Sequence, residues 1–128
     1  MTPEDRKYTR THEWIKIEDD LAVIGITDHA QEAMGEITFI ELPELGHVLE
    51  QDEDCGVVES VKAASDIRAP VAGEVVEINE MLDARPEIIN EDCYNQGWMF
   101  KVKGFDPEEV DALFAAPRYE SFIDHVSP

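Results

Sequence analysis

Residues 55–68 constrain this chain more than any other stretch, because they are hard to thread as anything but a tight hairpin. Cys55-Gly56-Val57-Val58-Glu59-Ser60 is short and rich in β-branched residues, as strands are. Ser65-Asp66-Ile67-Arg68 reads as the returning strand, closed by Ala69-Pro70, because proline cannot donate to a ladder. Lys62 then falls near the tip, exposed and followed by two small residues, Ala63 and Ala64. It is one of only five lysines in a chain of formal net charge −20. A sterically open lysine on a rigid tip suits recognition by a modifying enzyme and attachment of a prosthetic arm. Taken alone, an exposed hairpin lysine more often serves only solubility.

Flanking segments extend a mostly β pattern. Trp14-Ile15-Lys16-Ile17 and Leu21-Ala22-Val23-Ile24-Gly25-Ile26 pair as strands around the turn Glu18-Asp19-Asp20. Thr27 or Asp28 can cap a short helix through Met34, which Gly35 can end. Phe39-Ile40-Glu41-Leu42 reads as a strand stopped by Pro43. At Asp106-Pro107-Glu108-Glu109, Asp is the N-cap, Pro takes the first helical position and Glu follows three residues after the cap. Val110, Leu113 and Phe114 form the apolar stripe expected of that helix. A Val-Val-Glu run recurs 18 positions apart, at Val57 and Val75, as a faint internal echo.

With 128 residues the chain has the length of one domain with a single core. Thirty Asp and Glu against ten Lys and Arg exclude nucleic acid and anionic membrane surfaces as natural partners. Such a surface suits docking onto basic patches of larger proteins, with association that weakens as salt rises. No apolar run approaches the ~20 residues of a membrane span. Met1 to Lys7 carries acids and no apolar signal region, so a cytoplasmic location is expected. His12, His29, His47 and His125 lack metal-ligand spacing, and Trp14 and Trp98 are expected in the core.

Glu59-Ser60-Val61-Lys62-Ala63-Ala64-Ser65-Asp66 closely resembles the lipoyl-attachment loop of the glycine cleavage system H protein family. The resemblance continues through Thr11-His12-Glu13-Trp14, Ile24 to Gln31, Gly35-Glu36-Ile37, Glu41 to Gly46, Ala69 to Asn79, Pro86 to Asn90 and Gly97-Trp98. It covers about residues 8–123 in unbroken order. It implies a mainly β barrel-sandwich hybrid of the lipoyl/biotinyl carrier type, with short helices and a C-terminal helix. On this expectation residues 1–128 form a single lipoyl-carrier domain. An N-terminal extension would occupy 1–8 and a C-terminal helical segment about 106–123. The family fold also implies two similar β-halves, joined here near Ala69 to Gly73.

The resemblance further implies lipoate as a covalent lipoamide on Lys62, and no catalytic residue in the chain itself. A PLP glycine decarboxylase would place an aminomethyl group on the swinging arm. A folate-dependent aminomethyltransferase would remove it, and a dihydrolipoyl dehydrogenase would reoxidise the dithiol. A lipoate ligase, or lipoyl/octanoyl transfer, would install the arm. Glu59, Ser60, Val61, Ala63 and Asp66 are the candidates for loop recognition. Thr11 and Glu13 match positions bordering the loaded arm, where a carboxylate could pair with an amine. Ordinary surface roles for these residues remain open.

The two cysteines, Cys55 and Cys93, form no Cys-x-x-Cys motif. Cys93 stands where H proteins usually show Pro, and Arg68 stands at a commonly aromatic position. These departures keep open an alternative in which a lipoate-binding relative serves a heterodisulfide-reductase-like sulfur-oxidation system, with Cys93 as a possible thiol. Biotinyl carriers flank their lysine with methionines, whereas Val61 and Ala63 flank Lys62.

Overall fold

A computed structural model describes residues 2–126. In chain order its strands are β1 (Lys7–Tyr8), β2 (Glu13–Glu18), β3 (Leu21–Ile26), β4 (Ile37–Glu41), β5 (Val48–Leu49), β6 (Asp54–Ser60), β7 (Ala64–Arg68), β8 (Gly73–Ile78) and β9 (Phe100–Lys103). Its helices are α1 (Asp28–Met34), α2 (Met81–Ala84), α3 (Ile88–Asp92), α4 (Pro107–Asp111) and α5 (Ala116–Val126). Six strands form one antiparallel sheet in the order β1-β2-β3-β9-β8-β5, and three form another in the order β4-β6-β7. The core lies between them. Ile15, Ile24, Val75 and Phe100 from the long sheet meet Ile37, Ile40, Val58 and Ile67 from the short one. Between β7 and β8 the chain passes from the short sheet to the long one through the buried Ala69 and Val71.

Local chemistry accounts for most boundaries. Glu18 pairs with Leu21, so the β2–β3 loop is Asp19-Asp20, with Asp19 in the left-handed region at φ 57°. The Thr27 hydroxyl accepts from the Ala30 N–H and caps α1, and the Gly35 N–H closes it on the Gln31 carbonyl. β4 begins at Ile37, earlier than the expected Phe39, and ends before Leu42-Pro43. The two Val-Val-Glu runs lie in β6 and β8 but are not equivalent. Val58, the second valine, is buried in one, whereas Val75, the first, is buried in the other. A ladder irregularity between Val75 and Glu77 accompanies that switch.

Both termini differ from expectation. The C-terminal segment is two helices, not one, because Phe114 leaves the helical path to bridge Tyr8 in an antiparallel pair. Phe114 therefore lies outside α4, although Val110 is buried as expected of an apolar stripe. The N-terminal residues are also more than an extension. Tyr8 is fully buried, and the Arg6 guanidinium donates to the Tyr94 carbonyl at 2.8 Å while lying over the Trp14 ring. A strand of two residues is too short to register as periodicity.

Behind the long sheet, a second cluster joins Tyr8, Trp14, Val23, Ala116 and Tyr119 beneath α5. His12 links it to α1. Its Nδ1 lies 2.7 Å from the Tyr119 hydroxyl, which in turn lies 2.8 Å from the Thr27 hydroxyl. Burial pushes the His12 pKa down to about 4, and the neighbouring His29 ring pushes the same way. An imidazole with a depressed native pKa binds fewer protons folded than unfolded. Its stabilisation is therefore complete above about pH 6.5 and is lost as pH falls toward about 4. In pH-dependent chemical denaturation, His12→Asn should lose less stability than the wild type across that window. Asn is chosen because it tolerates the φ of 73° at this position.

Candidate functional site

The predicted hairpin is β6–β7, with Glu59 opposite Ala64 and Val61-Lys62-Ala63 as its tip. Ser60 shapes the turn. Its N–H donates to the Ala63 carbonyl at 2.8 Å, and its hydroxyl lies 3.1 Å from the Ala63 N–H and 3.3 Å from the Lys62 N–H. The tip's backbone groups are thus satisfied locally, which leaves both neighbouring side chains outside. Val61 is 78% exposed, Lys62 is exposed, and Lys62 makes no ion pair among the described residues.

Two glycines make this placement possible. At Gly56 a Cβ would stand 2.4 Å from the Glu41 carbonyl oxygen, so only glycine lets β6 lie this close to β4. Gly35, at φ 77°, lies under the lysine stem, where a Cβ would meet Lys62 Cε at 3.2 Å. Asn90 fixes that floor. Its amide donates to the Gly35 carbonyl at 2.8 Å and to the Gln31 side chain at 2.9 Å, while its oxygen accepts from the Ile37 N–H. The sequence reading assigned no role to Asn90. The available signal was a polar residue following the apolar pair Ile88-Ile89.

The other candidates separate. Glu59 and Asp66 are exposed on the hairpin, and Ser60 is half-buried in its brace. Glu13 is 1% exposed at the start of β2. One carboxylate oxygen accepts from the Thr9 and Thr11 hydroxyls, and the other accepts from the Arg68 N–H at 3.1 Å. Burial raises its pKa and outweighs the hydrogen bonds that lower it. Thr11 is exposed and lines a cleft of about 580 Å³ with Arg10, Asp52, Arg68, Leu113 and Phe114. Thr11 and Glu13 therefore touch each other, but Glu13 sits behind the cleft. Arg68 reaches the Asp52 carbonyl at 3.4 Å and the Asp54 carboxylate at 3.7 Å, which makes it a polar wall of that cleft.

Cys93 lies in the core rather than on the cleft. It is 6% exposed within the main core, its carbonyl accepts from Trp14 Nε1 at 3.0 Å, and burial pushes its thiol up to about 12. Cys55 is likewise pushed up to about 12 by burial. Burial thus works against the thiolate form at both positions. Trp14 is core as expected, whereas Trp98 is half-buried beneath the Lys101 ammonium. Among the described residues no group of three His, Cys, Asp or Glu could hold a metal ion. The side chain of His125 lies outside those residues.

Two packed antiparallel sheets presenting one open lysine on a hairpin tip define a carrier domain of the lipoyl type. The model of the glycine cleavage H-protein family matches residues 6–126. The chain is 52% identical to the glycine cleavage system H protein of Alcanivorax borkumensis, over 95% of both chains. It is 50% identical to the H protein of Thermus thermophilus, again over 95% of both. The crystal structure of the H protein from Mycobacterium marinum superposes with a TM-score of 0.85 at 39% identity, covering 93% of this chain and 96% of that one. This chain belongs to the glycine cleavage H-protein family. That membership supports a lipoyl carrier role in glycine cleavage and does not favour the sulfur-oxidation alternative.

Replacing Glu13 with Ala removes the acceptor for the Arg68 N–H and for two hydroxyls. The cost should be roughly 1–3 kcal/mol, measured as a shift in the denaturation midpoint. Unchanged stability would mean that water substitutes fully for the carboxylate.

Proposed function

We propose that Lys62 is the lipoyl-attachment site, and that the chain carries an aminomethyl group on that arm during glycine cleavage. The observation that supports this most strongly is the placement of Lys62. Of the five lysines it alone stands at the hairpin tip, with its stem laid over Gly35 and no acid paired to it among the described residues. Lys16, Lys101 and Lys103 are all held in ion pairs. Joined to Nζ as an amide, lipoate would supply a cyclic disulfide able to accept the aminomethyl group and return as a dithiol. The chain contributes the position: Ser60 holds the tip, and Asn90 and Gly35 hold its floor. Amide formation would also remove the lysine charge and leave the tip framed by Glu59 and Asp66.

On this reading the chain is a carrier, not an enzyme. Its partners are a PLP glycine decarboxylase, an aminomethyltransferase, a dihydrolipoyl dehydrogenase and a lipoate ligase or lipoyl/octanoyl transferase. A tethered group visits each at raised effective concentration. Glu59, Ser60, Val61, Ala63 and Asp66 form the surface a modifying enzyme reads. Thr11 and Glu13 would receive the loaded arm, with Glu13 exchanging a hydroxyl donor for the incoming amine. No helix among the described residues is long and apolar enough to cross a membrane, and a cytoplasmic location is part of this proposal. We assign the described residues to one carrier domain.

Co-expression with a lipoate ligase, followed by peptide mass mapping, should place the lipoyl mass on Lys62 alone. Lys62→Arg should fold normally and stay unmodified, because an exposed tip contributes little packing. Lipoyl mass on Lys101 or Lys103 with Lys62 bare would overturn the assignment. The lipoylated protein should support glycine–bicarbonate exchange with a cognate decarboxylase. Cys93→Ala should leave that exchange unchanged, since a buried, protonated thiol has no part in it. Absent exchange together with full lipoylation would reinstate the sulfur-oxidation reading.

A further inference from the structure

We infer that the outer face of the β4-β6-β7 sheet docks the enzyme that joins the lipoyl group to Lys62, with Phe39 as its apolar anchor. The inference rests on Lys62 being the attachment site. Strand register fixes the face. Ile40, Val58 and Ile67 point into the core, so their alternating neighbours point out. Phe39, Glu59 and Ala64 make one row across the three strands, and Glu41, Val57 and Asp66 make the next. The two rows form a checkerboard of three apolar side chains and three carboxylates.

Two properties distinguish this face from ordinary acidic surface. Phe39 is 49% exposed although it is aromatic and stands on a β-strand. Glu41, Glu59 and Asp66 make no ion pairs among the described residues, whereas Glu74 and Glu77 on the other sheet are paired with lysines. The complement is therefore a cationic surface with an apolar notch.

Reach selects the occupant. Enzymes that act on the loaded group meet it at the end of a long arm, away from the sheet. The attaching enzyme must bring its activated carbonyl to Nζ itself, within one lysine side chain of the tip. The Phe39 row is three residues back from Lys62 along β6, no more than about 10 Å. A partner footprint of about 800 Å² covers both.

The test uses the full chain with purified lipoate–protein ligase, ATP and lipoate, following initial rates by intact mass at low and moderate salt. Phe39→Ser and Phe39→Lys should raise KM about tenfold with kcat unchanged, as truncation of an interface anchor does. The Glu41→Gln, Glu59→Gln, Asp66→Asn triple variant should raise KM at low salt and flatten its salt dependence. Thermal melts of all variants should match the wild type, since these side chains are outside the core. Wild-type kcat/KM in both Phe39 variants would overturn the docking face while leaving Lys62 as the site. A defect confined to glycine exchange of pre-lipoylated variants would assign the face to the decarboxylase, and so also overturn it. A wild-type chain that takes no lipoyl group would end both this inference and the reading beneath it.

Discussion

The buried carboxylate of Glu13 is the interaction on which the arrangement of the two sheets depends. It stands at the start of β2 in the long sheet and accepts the backbone N–H of Arg68 at the end of β7 in the short one. Two threonine hydroxyls satisfy its other oxygen. An acid this deeply buried is tolerable because both of its oxygens accept hydrogen bonds. The base of the lysine hairpin is thereby held by the opposite sheet, and the tip inherits that position. This one contact also links the lysine hairpin to the Thr11 side of the cleft.

From that base outward, the hairpin is held by exclusions as much as by attractions. Gly56 admits β4 to a distance no side chain would allow, and Gly35 leaves room for the lysine stem. Asn90 ties the backbone on either side of the stem to α3, using both its donor and its acceptor. Ser60 satisfies the turn from within. A carrier needs a lysine whose surroundings are rigid while its amine remains open. These four residues supply the rigidity without covering Lys62.

The charge of −20 takes on a local meaning in this setting. On the long sheet, Glu74 and Glu77 are matched by lysines of β9. On the outer face of the hairpin sheet, Glu41, Glu59 and Asp66 make no ion pair among the described residues and alternate with apolar groups. An overall acidity that merely excludes nucleic acid at the level of composition thus becomes, on one face, a patterned surface suited to a protein partner.

What the sequence determined by itself was everything governed by short-range chemistry. The 55–68 hairpin, a cap at Thr27 or Asp28, the Asp106 cap, the Gly35 stop and the open lysine follow from turn residues, β-branched runs and capping side chains whose partners lie a few positions away. Family likeness over 8–123 extended that to the fold. Tertiary structure alone decided the contacts that join distant residues. No local pattern announces that Tyr8 pairs with Phe114 and so splits the C-terminal helix, or that Glu13 closes on Arg68. The same holds for Asn90, which braces a loop more than fifty residues away. Cys93 shows the difference most clearly. As a letter in the chain it is a candidate thiol, but the surrounding core removes it from water, raises its pKa and packs it among apolar side chains. Burial is a property of the assembled molecule, so the chemistry that depends on burial was settled only when the two sheets met.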